Sequence, residues 1–286
     1  MKLSVITDEI SMDFAHALDV MREYGVQGAE LRSLWGQNVV DLSGAGVEKA
    51  KAILREKRLV VSCIASPVFK CELGGSTSRE VGPSHQASER TLADQPALLD
   101  RCVELAEVFG TRLVRVFSFW RRGELTPEVE DGIVKQLSRA AEVAGRKGVV
   151  LALENEHSCY LGTGEQTARV LQRVNSPHLR AVWDPGNAFC AGENPFPAGY
   201  EAIKDYIAHV HVKDAIRLDG GQCAFVAIGD GQIDYPGQLE ALKEAGYEGW
   251  LSLETHYAPY GGDSEVASRL CLAALNVMLS GVGVQR

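Results

Sequence analysis

The chain has 286 residues, 45% of them hydrophobic, with 29 glycines, seven cysteines, a formal net charge of −9 and a pI near 5.4. That apolar content suffices for one large core, and an α/β barrel commonly takes this length as a single domain. The acidic balance and the lack of any cluster of five basic residues argue against nucleic acid and anionic membranes as partners. No run of 18 apolar residues and no leader-like start is read, so a cytoplasmic location is expected. The cysteines are scattered, without a C-x-x-C pair, and read as reduced thiols.

Strand-like and helix-like stretches alternate along the chain. "KLSVIT" (2–7) reads as a buried strand, and 13–24 as an amphipathic helix closed by Gly25. "GAELRS" (28–33) is the second strand, 47–58 a helix, and "LVVSCIAS" (59–66) the third strand. The polar stretch from Pro67 to Arg90 is long for a βα loop, which marks function or a lid. A helix at 91–109, a strand at 112–119 and a helix at 127–147 follow, the last with Pro127 in its first turn. Strands five to eight are 149–154, 179–184, 207–214 and 249–254. Between and after them come helices at 165–174, near 198–206, at 236–245 and at 263–280, with a second long loop over 217–234. Eight βα units in one chain favour a closed (β/α)8 TIM barrel spanning residues 1–286, rather than an open sheet.

Four side chains stand at the ends of strands five to eight: Glu154 in "VVLALENEH", Asp184 in "RAVWDPGNAF", His211 in "IAHVHVKDA" and Glu254 in "GWLSLETHY". Catalytic groups of such barrels come from these C-terminal strand ends. Adjacent strands lie about 4.8 Å apart, so four neighbouring ends can encircle one ion. The residues two back, Ala152, Val182, His209 and Ser252, share the inward parity and are mostly small or apolar. Any one of the four alone reads as a polar strand cap. Three carboxylates with no arginine beside them are hard to hold together without a cation. The donor set suits Mn²⁺ first, then Mg²⁺ or Co²⁺, with Zn²⁺ left open.

Glu154 and Glu254 would approach such an ion from opposite sides. A ketone next to a hydroxyl can chelate the ion, which acidifies the C–H between them. One Glu then removes that proton and the other returns one. The expected activity is sugar isomerisation or epimerisation. Loss of a β-hydroxyl after the same first step gives a dehydratase instead. A non-catalytic sugar-binding barrel is the third reading, and the intact Glu154/Glu254 pair counts against it.

At these residues the chain resembles the xylose isomerase-like (β/α)8 superfamily of sugar phosphate isomerases and epimerases. The resemblance rests on "LALENEH", "WDPGNAF", "HVHVKD", "GDGQIDY" and "GYEGWLSLETH" and spans essentially the whole chain. It implies Glu154, Asp184, His211 and Glu254 as metal ligands and Glu154 and Glu254 as the acid/base pair. It implies that Arg217, six residues after His211, holds substrate. Ketose 3-epimerases of the group carry a His three residues after the metal Asp; this chain has Asn187. "WDPGN" with "HVHVKD" resembles inosose dehydratases equally. The implied partner is a small-molecule sugar or polyol ketone, and such proteins are commonly homo-oligomers. Endonuclease IV members of the family need three metals and extra histidines.

Further candidates lie around this centre. His157 and His256 follow the two glutamates in loops at the active face, where substrate contact and plain exposure are both open. Glu156 shares the parity of Glu154 and can support it. Glu30 and Arg32 end strand two as a rim salt bridge or as substrate contacts. His209 reads as a buried structural histidine, Trp183 as packed against the helices, and Lys213 as able to reach the pocket. Trp35, Phe69 and Trp120 follow strands two to four and can wall an apolar side.

Overall fold

The computed structural model describes residues 1–74, 86–88, 90–257, 259 and 262–284. Eight parallel strands close into a barrel. They are β1 (Lys2–Ile6), β2 (Gly28–Leu31), β3 (Val60–Ile64), β4 (Leu113–Val116), β5 (Val150–Glu154), β6 (Leu179–Trp183), β7 (Ile207–Val212) and β8 (Trp250–Leu253). Each pairs with its sequence neighbours, and β8 pairs back to β1 from Lys2↔Trp250 to Val5↔Leu253. Closure leaves no free sheet edge, as the run of eight βα units implied.

Helices surround the barrel: α1 (Phe14–Glu23), α2 (Gly44–Lys57), α3 (Gln95–Phe109), α4 (Pro127–Arg146), α5 (Gly164–Val174), α6 (Pro185–Cys190), α7 (Tyr200–Ile203), α8 (Tyr235–Glu244) and α9 (Ser264–Gly281). Short polar side chains start most of them. Asp13, Ser43, Thr126, Thr163, Asp184, Asp234 and Asp263 each accept from backbone N–H groups of the first turn. None among the described residues is long and apolar enough to cross a membrane.

Strand parity divides the core. Outward side chains such as Leu151, Leu153, Val210 and Leu251 join the apolar layer beneath the helices. Trp183 belongs there as read, and its indole N–H donates to Gln238 Oε1 on α8 at 2.8 Å. Inward positions are small or polar. Ser4 and Ser62 share a buried 2.6 Å hydrogen bond across the interior. Ala152, Val182, His209 and Ser252 are all fully buried, as their parity requires.

Three local features depart from the sequence reading. The loop at 217–234 contains a hairpin pairing Asp214–Arg217 with Cys223–Val226. The short helix α6 begins directly after Asp184, where the D-P pair offered a cap and an N1 proline that went unread. Cys190 at the end of α6 is disulfide-bonded to Cys223 on the hairpin, their Cα atoms 5.3 Å apart, so these two are not reduced thiols. A separation of 33 residues conceals that pairing in the sequence. Much of the long polar stretch after β3, residues 75–85 and Glu89, lies outside the described residues.

Candidate metal centre and its mouth

The barrel brings the four strand-end residues together. Ligand atoms of Glu154, Asp184, His211 and Glu254 all lie within 4.8 Å of one another. None of the four is more than 2% exposed. His211 Nδ1 stands 3.4 Å from Glu254 Oε2, 3.5 Å from Glu154 Oε1 and 3.7 Å from Asp184 Oδ2. Its other nitrogen, Nε2, lies 3.1 Å from Glu30 Oε1. An ionised carboxylate only accepts, so Nε2 carries a proton and Nδ1 is turned to the cluster. Burial opposes charge on this imidazole, but Glu30 and Glu154 outweigh it and hold its pKa well above the usual range.

Three atoms of the cluster test its fit to an ion. Glu154 Oε2, Asp184 Oδ2 and His211 Nδ1 are buried and make no hydrogen bond. The two carboxylate oxygens each lie against a cation, whereas His211 Nδ1 faces carboxylate oxygens. Three carboxylates and one imidazole whose ligand atoms converge within 4.8 Å are a suitable donor set for a divalent cation.

The premise that no arginine accompanies these carboxylates is overturned. Arg115 Nη1 lies 3.2 Å from Glu154 Oε2 and 4.0 Å from Glu254 Oε1. Arg32 donates to Asp8 at 2.9 Å, to Glu9 at 2.5 Å and to Glu254 Oε1 at 3.0 Å. Lys213 Nζ stands 2.7 Å from Glu254 Oε2 and 2.9 Å from Asp184 Oδ2, aligned as a hydrogen bond only with the former. An ion drawing on Asp184 Oδ2 therefore competes with an ammonium already beside it. Charge repulsion alone no longer argues for a metal; the convergence of one imidazole nitrogen and three carboxylates does. Burial works against ionised Glu254, yet Lys213 and His256 hold its pKa well below the carboxylate range.

Above the cluster lies the mouth. Asn187, held by the first turn of α6, donates from Nδ2 to Glu154 Oε1 at 3.0 Å. Its backbone N–H reaches Asp184 Oδ1 at 2.8 Å. Gly186 permits this approach, because a Cβ there would sit 2.6 Å from Lys213 Cγ. His157 Nδ1 meets Asn187 Oδ1 at 2.8 Å, and His256 Nε2 meets Glu254 Oε1 at 3.1 Å. Phe225 on the hairpin lies edge-on to both histidine rings, with centroids 6.3 Å and 5.3 Å away. Glu156 is ion-paired to Lys70 at 2.9 Å. Burial opposes its charge, but Lys70, Lys213 and His157 hold its pKa well below the usual range. Arg217 donates to the carbonyls of Phe189 at 2.7 Å and Gly221 at 3.3 Å.

Sequence reasoning missed Arg115 and undervalued Glu30. A signal existed for each: a charged residue at inward parity in an otherwise apolar strand. The "GDGQ" turn also has a structural account. Asp214 Oδ2 accepts from Gly229 N and Gly231 N at 2.9 and 3.1 Å, and a Cβ on Gly231 would collide with that carboxylate.

The sequence profile of the xylose isomerase-like TIM barrel family matches residues 18–273, and the chain belongs to that family. The inosose dehydratase of Geobacillus thermodenitrificans is 26% identical over 156 residues, which is 49% of this chain and 52% of that protein. The chain thus matches about half the length of such curated relatives. Among solved structures, the IolI protein with a binding zinc atom has a TM-score of 0.78 at 19% identity, covering 100% of both chains. The probable 3-DHS dehydratase AsbF of Bacillus anthracis has a TM-score of 0.73 at 17% identity, covering 96% of this chain and 98% of that one. Epimerases are among the structural neighbours too. At these identities the solved structures establish the fold. The named relatives reverse the expected order of activities: the isomerase/epimerase reading is withdrawn in favour of the dehydratase.

Proposed function

We propose that this chain is a divalent-metal-dependent dehydratase, a lyase acting on an inosose-like polyol ketone. The reading rests on one observation: the buried cluster on β5–β8, in a chain several of whose matched relatives are named inosose dehydratases. Glu154, Asp184, His211 and Glu254 would hold the ion, Mn²⁺ or Zn²⁺ being the first to try. When bound, a divalent ion polarises a carbonyl and acidifies the adjoining C–H. The whole described chain is taken as one catalytic domain.

Dehydration takes a proton from the carbon beside the carbonyl and expels hydroxide from the next carbon. Glu254 faces Arg32, Lys213, Arg115 and His256, which favour its ionised form and weaken it as a base. Glu154 meets Arg115 at one oxygen and the neutral amide of Asn187 at the other, and is assigned as the proton acceptor. Glu254 then serves as a standing negative charge. Lys70, Lys213, Arg32 and Arg115 each already face a carboxylate, which favours an uncharged polyol over an anionic substrate.

The test is incubation of the Mn²⁺- or Zn²⁺-loaded protein with an inosose, read by mass spectrometry. A product lighter by one water is expected, lost with a chelator and restored by the ion. Glu154→Gln should slow that turnover by about 10²–10⁴-fold. Recovery of the inosose unchanged from the loaded protein would sink the reading.

A further inference from the structure

We propose that His157 is the general acid that protonates the departing hydroxyl. The inference rests on the dehydratase reading and adds the second proton that reaction needs. A chain of hydrogen bonds fixes its chemistry. The carboxylate of Glu154 can only accept, so the atom of Asn187 beside it is the NH₂ group. Asn187 Oδ1 therefore faces the other way, toward His157 Nδ1 at 2.8 Å. Glu156 Oε1, a second acceptor, lies 3.2 Å from the same nitrogen. Two acceptors on one nitrogen require it to carry the proton, so His157 is held as the Nδ1–H tautomer. Its Nε2 is left to take up a proton and hand it on, with the Glu156 carboxylate beside the ring.

Other groups at the mouth are poorer donors. Lys213 is held between Asp184 and Glu254 as an ion-paired ammonium. Lys70 is paired to Glu156. His256 faces two carboxylates, Glu254 at 3.1 Å and Glu9 at 3.5 Å. The His157 side chain is 41% exposed, so solvent can recharge it between turnovers. Its loop is held in place: Glu156 N–H bonds Leu161 O, Cys159 N–H bonds Glu156 O, and Leu161 N–H bonds Ser118 Oγ.

The step balances without any oxidant. Glu154 first takes the proton beside the carbonyl, leaving the C–H electron pair in an enolate that can be reprotonated; on elimination that pair becomes the new C=C bond. The β-carbon's C–O bond breaks, and the oxygen leaves with its electron pair and the proton from His157 Nε2, as water. Glu154 then loses its proton to solvent and His157 regains one.

The two proton transfers can be separated in D₂O. With the metal-loaded protein and an inosose, His157→Gln should lower dehydration by about 100-fold or more. Glu154 is untouched in that variant, so deuterium should still enter the carbon beside the carbonyl. Loss of exchange and dehydration in equal measure, or undiminished dehydration, overturns the assignment while leaving a dehydrating wild type intact. A wild type that neither exchanges nor dehydrates the inosose overturns the dehydratase reading as well. A further readout needs no turnover: ¹⁵N NMR of the metal-free wild-type protein should show His157 protonated at Nδ1. The Nε2–H tautomer there overturns the proposal.

Discussion

The two halves of the barrel rim carry different parts of one electrostatic unit. Strands β5–β8 end in Glu154, Asp184, His211 and Glu254, whose ligand atoms face one another. Strands β1–β4 and the residues after them supply Asp8, Glu9, Glu30, Arg32, Lys70 and Arg115; Asp8 and Glu9 pair with Arg32, while Arg32, Lys70, Arg115 and Glu30 reach Glu254, Glu156, Glu154 and His211 of the other half. The first half offers atoms to a ligand. The second makes the burial of so much charge tolerable. A substitution on β5–β8 should therefore cost turnover first, and one on β1–β4 should cost folding or affinity first.

The largest expected effect sharpens this division. Arg115→Met keeps most of the side-chain volume but leaves Glu154 buried with its cation gone. Breaking a buried pair from one side costs about 3–5 kcal/mol, so urea denaturation of the metal-free variant should report a loss of that size. A loss under about 1 kcal/mol would mean that β4 is not part of the charge balance. Next comes Glu30→Gln on β2. Glu30 accepts from His211 Nε2 and, at 2.8 Å, from His209, so it sets which nitrogen of His211 faces the cluster. Removing such support typically weakens metal binding about 10–100-fold, measurable by chelator competition. Unchanged affinity would break the claim that the second half serves the first. The smallest effect is a contrast outside the rim. Arg169 pairs with Glu130 at 2.7 Å while 44% exposed, and Arg173 stays paired to Glu130 without it. Arg169→Ala should change stability by about 0–1 kcal/mol, since solvent screens exposed pairs. A cost rivalling that of Arg115→Met would remove the distinction between buried and exposed charge.

The two halves also differ in how legible they were. Glu154, Asp184, His211 and Glu254 each close an apolar strand and open a loop, so the local pattern alone marks them. Arg115 and Glu30 sit inside short strands, and their meaning depends on partners 39 and 181 residues away. Asn187 reads from the sequence as a substrate contact standing where related epimerases have a histidine. Its link between Glu154 and His157 depends on α6 starting directly at Asp184. Arg217, placed by its offset from His211, lies on the hairpin after β7 and donates to the Phe189 carbonyl, a contact between segments that its offset does not show.

By itself the sequence determined the barrel, its eight strands and the four residues at their ends. Those features are periodic and local: apolar alternation sets the strand, side-chain parity sets the face, and turn residues set the end. Tertiary structure alone decided which charges neutralise the cluster, which of its atoms stay unpartnered, that Cys190 meets Cys223, and which nitrogen of His157 bears the proton. Each of these depends on distances between segments remote in sequence, and Coulomb and hydrogen-bond energies are set by those distances.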